Sequence, residues 1–125
     1  MPIFGSGFIK MKVLYKNKKV EKLCTNEKCA IKELGKTVAD KLLAAIIFLE
    51  VSENLKEVLE FPIYHLHALK GDLEGLFSMY LGKKTGYRLI LTPLDENEDI
   101  INREDMSFYT VAVCVEIEEV SKHYE

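Results

Sequence analysis

The sequence predicts an α+β fold: one strand, two helices, then an antiparallel meander stacked on them as a second layer. Three observations predict it. A short apolar run, "MKVLY", opens the chain past its first ten residues. Ile31, Leu34, Val38, Leu42, Ala45 and Leu49 recur at steps of three and four, so a helix places them on one face. From residue 64 on, aromatic and branched residues gather in "YHLHAL", "LFSMYL", "YRLILT" and "YTVAVCVEIEEV", with glycine-containing or acidic segments between them.

The elements follow in order. Residues 1–10 form a leader of undefined structure before a domain spanning 11–125, and the natural start is either Met1 or Met11. Met11–Tyr15 is the first strand, bounded by Lys and Asn. Asn17 can cap a short helix carrying Val20, Leu23 and Cys24, and Thr25 or Asn26 can cap the longer one. The second half of that longer helix also carries Leu43, Ile46, Ile47 and Phe48, more apolar surface than one packed face requires. Either the helix is deeply buried there or a partner covers it. Ser52 can cap a last short helical segment that stops near Phe61, because Pro62 disfavours helical geometry in the residue before it. Four strands follow. In the last, Val111, Val113, Val115 and Ile117 alternate against Ala112, Cys114, Glu116 and Glu118, which gives one core face and one that grows wet.

Composition narrows the function classes. Apolar residues make up 48% and charged residues 30%, the balance of an ordinary globular domain. The longest apolar stretch, "LLAAIIFL", falls well short of the roughly 18 residues a membrane span needs, and no secretory signal opens the chain, so a cytoplasmic protein without a membrane partner is expected. Three irregularly spaced cysteines fit reduced thiols, with Cys24 and Cys29 read as buried on helices. Charge is divided: residues 10–41 hold ten lysines against four acids, and residues 92–125 hold ten acids against Arg103 and Lys122. That acidic tail argues against a free-standing nucleic-acid binder. His65 and His67, two apart on an expected strand, would make half a metal site, but no third ligand accompanies them, so neither metal nor other cofactor is expected.

Two glycines, Gly71 and Gly75, fall in "LHALKGDLEGLFSMYL", where a turn between strands needs positive φ or a close backbone approach. With "YRLIL" after it, this stretch resembles the HigB branch of the RelE/ParE toxin superfamily, whose hallmark is a Leu-Lys-Gly-Asp turn, a second glycine, an aromatic strand and then an aromatic-Arg-Ile strand. The resemblance runs from Met11 to "EEVSKHY" and implies a two-layer fold with helices on one face of the sheet. It further implies the toxin of a bacterial toxin-antitoxin pair that cleaves messenger RNA on the ribosome without a metal, using the RNA 2′-OH as nucleophile. Its partners are then a helix-turn-helix antitoxin, the ribosome and mRNA, and a homo-oligomer with antitoxin bound is compatible with it.

Such cleavage needs a base, an acid and a cation for the crowded phosphate. Lys70 falls on the motif's turn lysine, Arg88 on its strand arginine and His123 on its C-terminal histidine, with Tyr124 beside it as a further catalytic candidate. An arginine fork suits two phosphate oxygens, and imidazole serves either proton-transfer role near neutrality. His67, Lys83 and Lys84 are the RNA-binding candidates. The sequence departs from the family pattern at Leu73 and Tyr80, where basic residues are common, at Ser121 and Lys122, and in the acidic insertion "LDENEDIINRED". With only two arginines, the chain also admits a second reading: a protein-binding module on the same fold, without cleavage, that binds an antitoxin or another target such as gyrase.

Overall fold

The structure is a computed structural model and describes residues 10–122. β1 (Lys12–Tyr15) leads into three helices, α1 (Lys18–Thr25), α2 (Glu27–Leu34) and α3 (Lys36–Val51), and then a one-turn helix, α4 (Leu55–Leu59). The sheet continues with β2 (His67–Ala68), β3 (Phe77–Tyr80), β4 (Tyr87–Leu94) and β5 (Cys114–Lys122), and a helical turn, α5 (Phe108–Val111), precedes β5. Strand order is β1-β5-β4-β3-β2. The last four strands are the expected meander, and β1 joins the far edge parallel to β5.

Caps explain where the helices begin. Asn17 accepts a hydrogen bond from the Val20 N–H and Asn26 accepts one from the Cys29 N–H, each at 2.9 Å. The expected long helix is two. Its apolar spacing runs unbroken from Ile31 to Leu49, but Gly35 takes φ 86° and ψ 161°, which ends α2 and starts α3. Ser52 does not cap α4. Its hydroxyl bonds back to the Phe48 carbonyl at 2.6 Å, and Asn54 caps α4 instead, accepting from the Lys56 N–H at 3.0 Å.

Gly35 supports a first prediction. A Cβ there would meet nothing within 4 Å, so a Gly35→Ala substitution is penalised by backbone geometry alone. That region of φ and ψ is essentially reserved for glycine, and the variant should lose about 1–3 kcal/mol, seen as a fall of several degrees in Tm. An unchanged Tm would mean the two helices can fuse across the break.

The sheet's two faces differ. Val13, Phe77, Met79, Leu89, Leu91, Val115 and Ile117 point toward the helices and meet Leu42, Ala45, Leu49 and Leu55 in the core. The opposite, open face carries His67, Ser78, Tyr80, Arg88 and Ser121, side by side across four strands. A bulge between Ile90 and Leu91 sets Glu118 beside Glu119 on that face and returns Val120 to the core side. The strand expected from Tyr109 begins only at Cys114. Phe108 stacks on Phe77 with ring centroids 5.6 Å apart, and this packing holds Phe108–Val111 helical against its β-branched composition. Asp105 accepts the Ser107 N–H and hydroxyl at 2.8 and 2.7 Å. These bonds hold its carboxyl below the usual range and fix the entry to the turn.

Candidate functional site

The β3–β4 hairpin end of the open face gathers the chemistry. Arg88 lies directly across from Tyr80 on β3 and from Ser121 on β5. Its guanidinium sits 3.8 Å from the centre of the Tyr80 ring, and one guanidinium nitrogen donates to the Tyr87 carbonyl at 3.0 Å. Only 7% of Arg88 is exposed, so the cation is held in a site of low dielectric under an aromatic cover.

Two imidazoles flank the same tyrosine. Pro62 starts a 3-10 turn, Pro62–Tyr64, which ends on His65 in the left-handed region at φ 44°. His65 therefore precedes β2 instead of extending it, yet its ring lies 4.7 Å from both His67 and Tyr80. Nδ1 of His67 lies 2.8 Å from the His65 carbonyl oxygen. A carbonyl can only accept, so Nδ1 carries a proton, and in the neutral imidazole Nε2 is the nitrogen that keeps its lone pair. The unusual backbone of His65 thus aims the carbonyl that sets the tautomer of His67. Across from His67, Ser78 is fully buried, and its hydroxyl has no hydrogen-bond partner among the described residues.

Of the sequence candidates, His67, Arg88 and Lys83 come together here; Lys83 lines a shallow depression with Pro62, Ile63, His65 and Tyr80. Lys84 follows in the same hairpin. Lys70 does not join them. The β2–β3–β4 register puts it at the other end of the sheet, displaced from Arg88 by about five residues, or roughly 16 Å, along the strand direction alone. There it lines a depression with Gly71, Glu74, Gly75 and Arg103, and both glycines take positive φ as the turn requires. β5 ends at Lys122, paired with Tyr87, and His123 and Tyr124 lie outside the described residues. The sequence does not single out Tyr80 or Ser78 as parts of this site, and it pairs His65 with His67 only as half a metal site or as exposed or RNA-facing histidines. Tyr80 registered there only as the absence of a basic residue, and Ser78 is signalled by a lone hydroxyl in an apolar strand.

The middle of the open face is acidic. The Thr92 hydroxyl donates to Glu118 at 2.8 Å, and a hydrogen bond shared with Glu118, followed by burial and then the Glu118 charge, raises the Glu116 carboxyl above its ordinary value of 4.5. The folded chain holds that proton more tightly than the unfolded chain does. This contribution to stability is therefore fully present below the unfolded value and is lost as pH rises through the folded one. Glu118→Gln should raise Tm by about 1–3 °C near pH 7 and leave it unchanged near pH 4, a modest effect because the pair is largely solvated. A shift of equal size at both pH values would refute the coupling of Glu116 to Glu118.

Burial pushes the Cys24 thiol up to about 12 and raises the Cys114 thiol as well, which makes both poor nucleophiles, and Cys29 is half-buried. Among the described residues no set of three or more His, Cys, Asp or Glu is placed to hold a metal ion, and no helix is long and apolar enough to cross a membrane.

No family model and no curated protein matches the chain. Solved structures do. A chain of the YoeB-YefM complex from Staphylococcus aureus shares 17% identity, with 91% of this chain and 98% of that one covered, at a TM-score of 0.50. A YoeB/ParE toxin from Agrobacterium tumefaciens shares 13% identity over 91% of this chain and all of its own, at 0.48. A YafQ mutant from E. coli shares 16% over 90% and 92%, at 0.49. The five-stranded sheet and its helices share the fold of that chain of the S. aureus complex.

Proposed function

We infer, from a fold shared with a structure of the YoeB-YefM complex, that this chain is the toxin of a toxin-antitoxin pair and cleaves messenger RNA on the ribosome. The observation that carries the reading is the tautomer-fixed His67 on the same open face as Arg88, with the Tyr80 ring between them. Assignment to the HigB branch rests on the "LKGD" turn and the "YRLIL" strand alone.

In this reading Nε2 of His67 takes the proton from a ribose 2′-OH. The freed oxygen attacks the adjacent phosphorus, the bond to the 5′ oxygen breaks, and the products are a 2′,3′-cyclic phosphate and a 5′-hydroxyl end. Tyr80 swings off Arg88, which exchanges the ring for the phosphate oxygens and balances the charge that builds on them. His123, which follows the end of β5, is assigned to protonate the leaving oxygen, with Tyr124 beside it. Lys83 and Lys84 hold the RNA strand at the hairpin. Lys70, far from Arg88, contacts RNA backbone away from the reacting phosphate. The cognate antitoxin silences the toxin until it is released.

The test is a reconstituted translation reaction with a single message. The expected result is loss of protein synthesis with new 5′-hydroxyl ends inside the coding region, seen only when ribosomes are present. Arg88 under its aromatic cover favours one competing reading, a binding module that leaves RNA whole. A message left intact in the presence of ribosomes would overturn the first reading and support the second.

A further inference from the structure

The C-terminal half of α3 presents Ala44, Ile47, Phe48 and Val51 at successive helical steps on an outer face, with Ile47 59% exposed. The segment after α4 extends this face. Phe61 packs on Phe48 with ring centroids 4.6 Å apart, Tyr64 stacks on Phe48 at 5.1 Å, and Ile63, 65% exposed, shares a depression with Ala44 and Lys41. The result is a continuous apolar strip with Ile47, Val51, Phe61 and Ile63 exposed along it. A contiguous exposed apolar patch rimmed by charge marks an interaction surface. Of the excess apolar residues on this helix, Ile46 is buried in the core and Phe48 packs against it, while Ile47 is left exposed.

The charges around the strip are polarised. At the α3 N-terminal side Lys36 and Asp40 neutralise each other at 2.9 Å, which leaves Lys41, Lys83 and Lys84 in excess. At the other end Glu50, Glu53, Glu57 and Glu60 outnumber Lys10 and Lys56. A two-fold axis through the strip sets the basic end of one copy against the acidic end of the other, and the small Ala44 lets the helices approach closely. We propose that this strip is where a second copy of the chain docks, forming an antiparallel, two-fold dimer through α3 and the Phe61–Ile63 segment. The proposal does not depend on the RNA-cleavage reading.

Sedimentation velocity on the purified chain tests it. Wild type is expected to be a dimer at micromolar concentration, and Ile47→Glu, a surface substitution, should stay folded by circular dichroism while weakening association at least 100-fold. Charge variants make the test specific. Lys41→Glu/Lys83→Glu has two acidic ends and Glu57→Lys/Glu60→Lys has two basic ends. Each alone should dimerise about 10-fold more weakly, and an equimolar mixture should form heterodimers at near wild-type strength. A monomeric wild type overturns the proposal, as does a dimer indifferent to both Ile47→Glu and the charge variants. If the wild type is a monomer whose strip binds a hydrophobic dye only after residues 1–9 are removed, the chain's own leader is the occupant and the two-copy assignment fails.

Discussion

Replacing Arg88 by alanine is expected to lower message cleavage by about 10²–10³-fold, the usual loss when a preorganised charge-stabilising donor is removed from a reacting centre. The effect should fall on the cleavage rate more than on ribosome binding, because the guanidinium meets the phosphate only as charge develops on it. Arg88→Lys keeps the charge and loses the fork, so it should recover only part of the rate. Both variants must be checked for folding, since Arg88 is nearly buried and anchors to the Tyr87 carbonyl. A folded Arg88→Ala variant with wild-type cleavage would remove this residue from the chemistry.

The second large effect belongs to His67. His67→Gln can keep a donor toward the His65 carbonyl while losing the basic nitrogen on the far side of the ring. Cleavage should fall by roughly 10²–10³-fold, the range for loss of a positioned general base, while binding of the message is retained. His67→Ala loses both functions and should be no better. If His67→Gln cleaves at the wild-type rate, the imidazole serves only to hold the His65 turn, and the base lies elsewhere.

What the sequence made legible follows from how local each signal is. β1, β3 and β4 are short runs whose own composition selects a strand, and the Asn17 and Asn26 caps need only the next three residues. The break at Gly35 stayed hidden because the apolar spacing on either side remains in phase across it. Tyr109–Val111 reads as strand because its helical state depends on Phe108 packing against Phe77, thirty-one positions before it, which no local pattern reports. The site divides the same way. Arg88 was legible from its motif. The company it keeps, with Tyr80 over the guanidinium and His65 against His67, exists only once the register of three strands is fixed. Lys70 shows the converse, since sharing a motif with the "YR" strand does not bring a residue to the same end of the sheet.

The parallel pairing of β1 with β5 has a consequence for when this molecule comes into being. Lys12 is matched with Cys114, so the first strand made waits for nearly the whole chain before it finds its neighbour. At the usual 5–20 residues added per second, that wait is on the order of ten seconds. Until β5 has left the exit tunnel, β4 has no partner on one side and Arg88 lacks its neighbour Ser121. A nascent chain truncated before Cys114 therefore carries the "LKGD" and "YRLIL" motifs without a finished sheet to present them. The order of synthesis acts as a delay, since the open face is assembled only once β5 has left the exit tunnel.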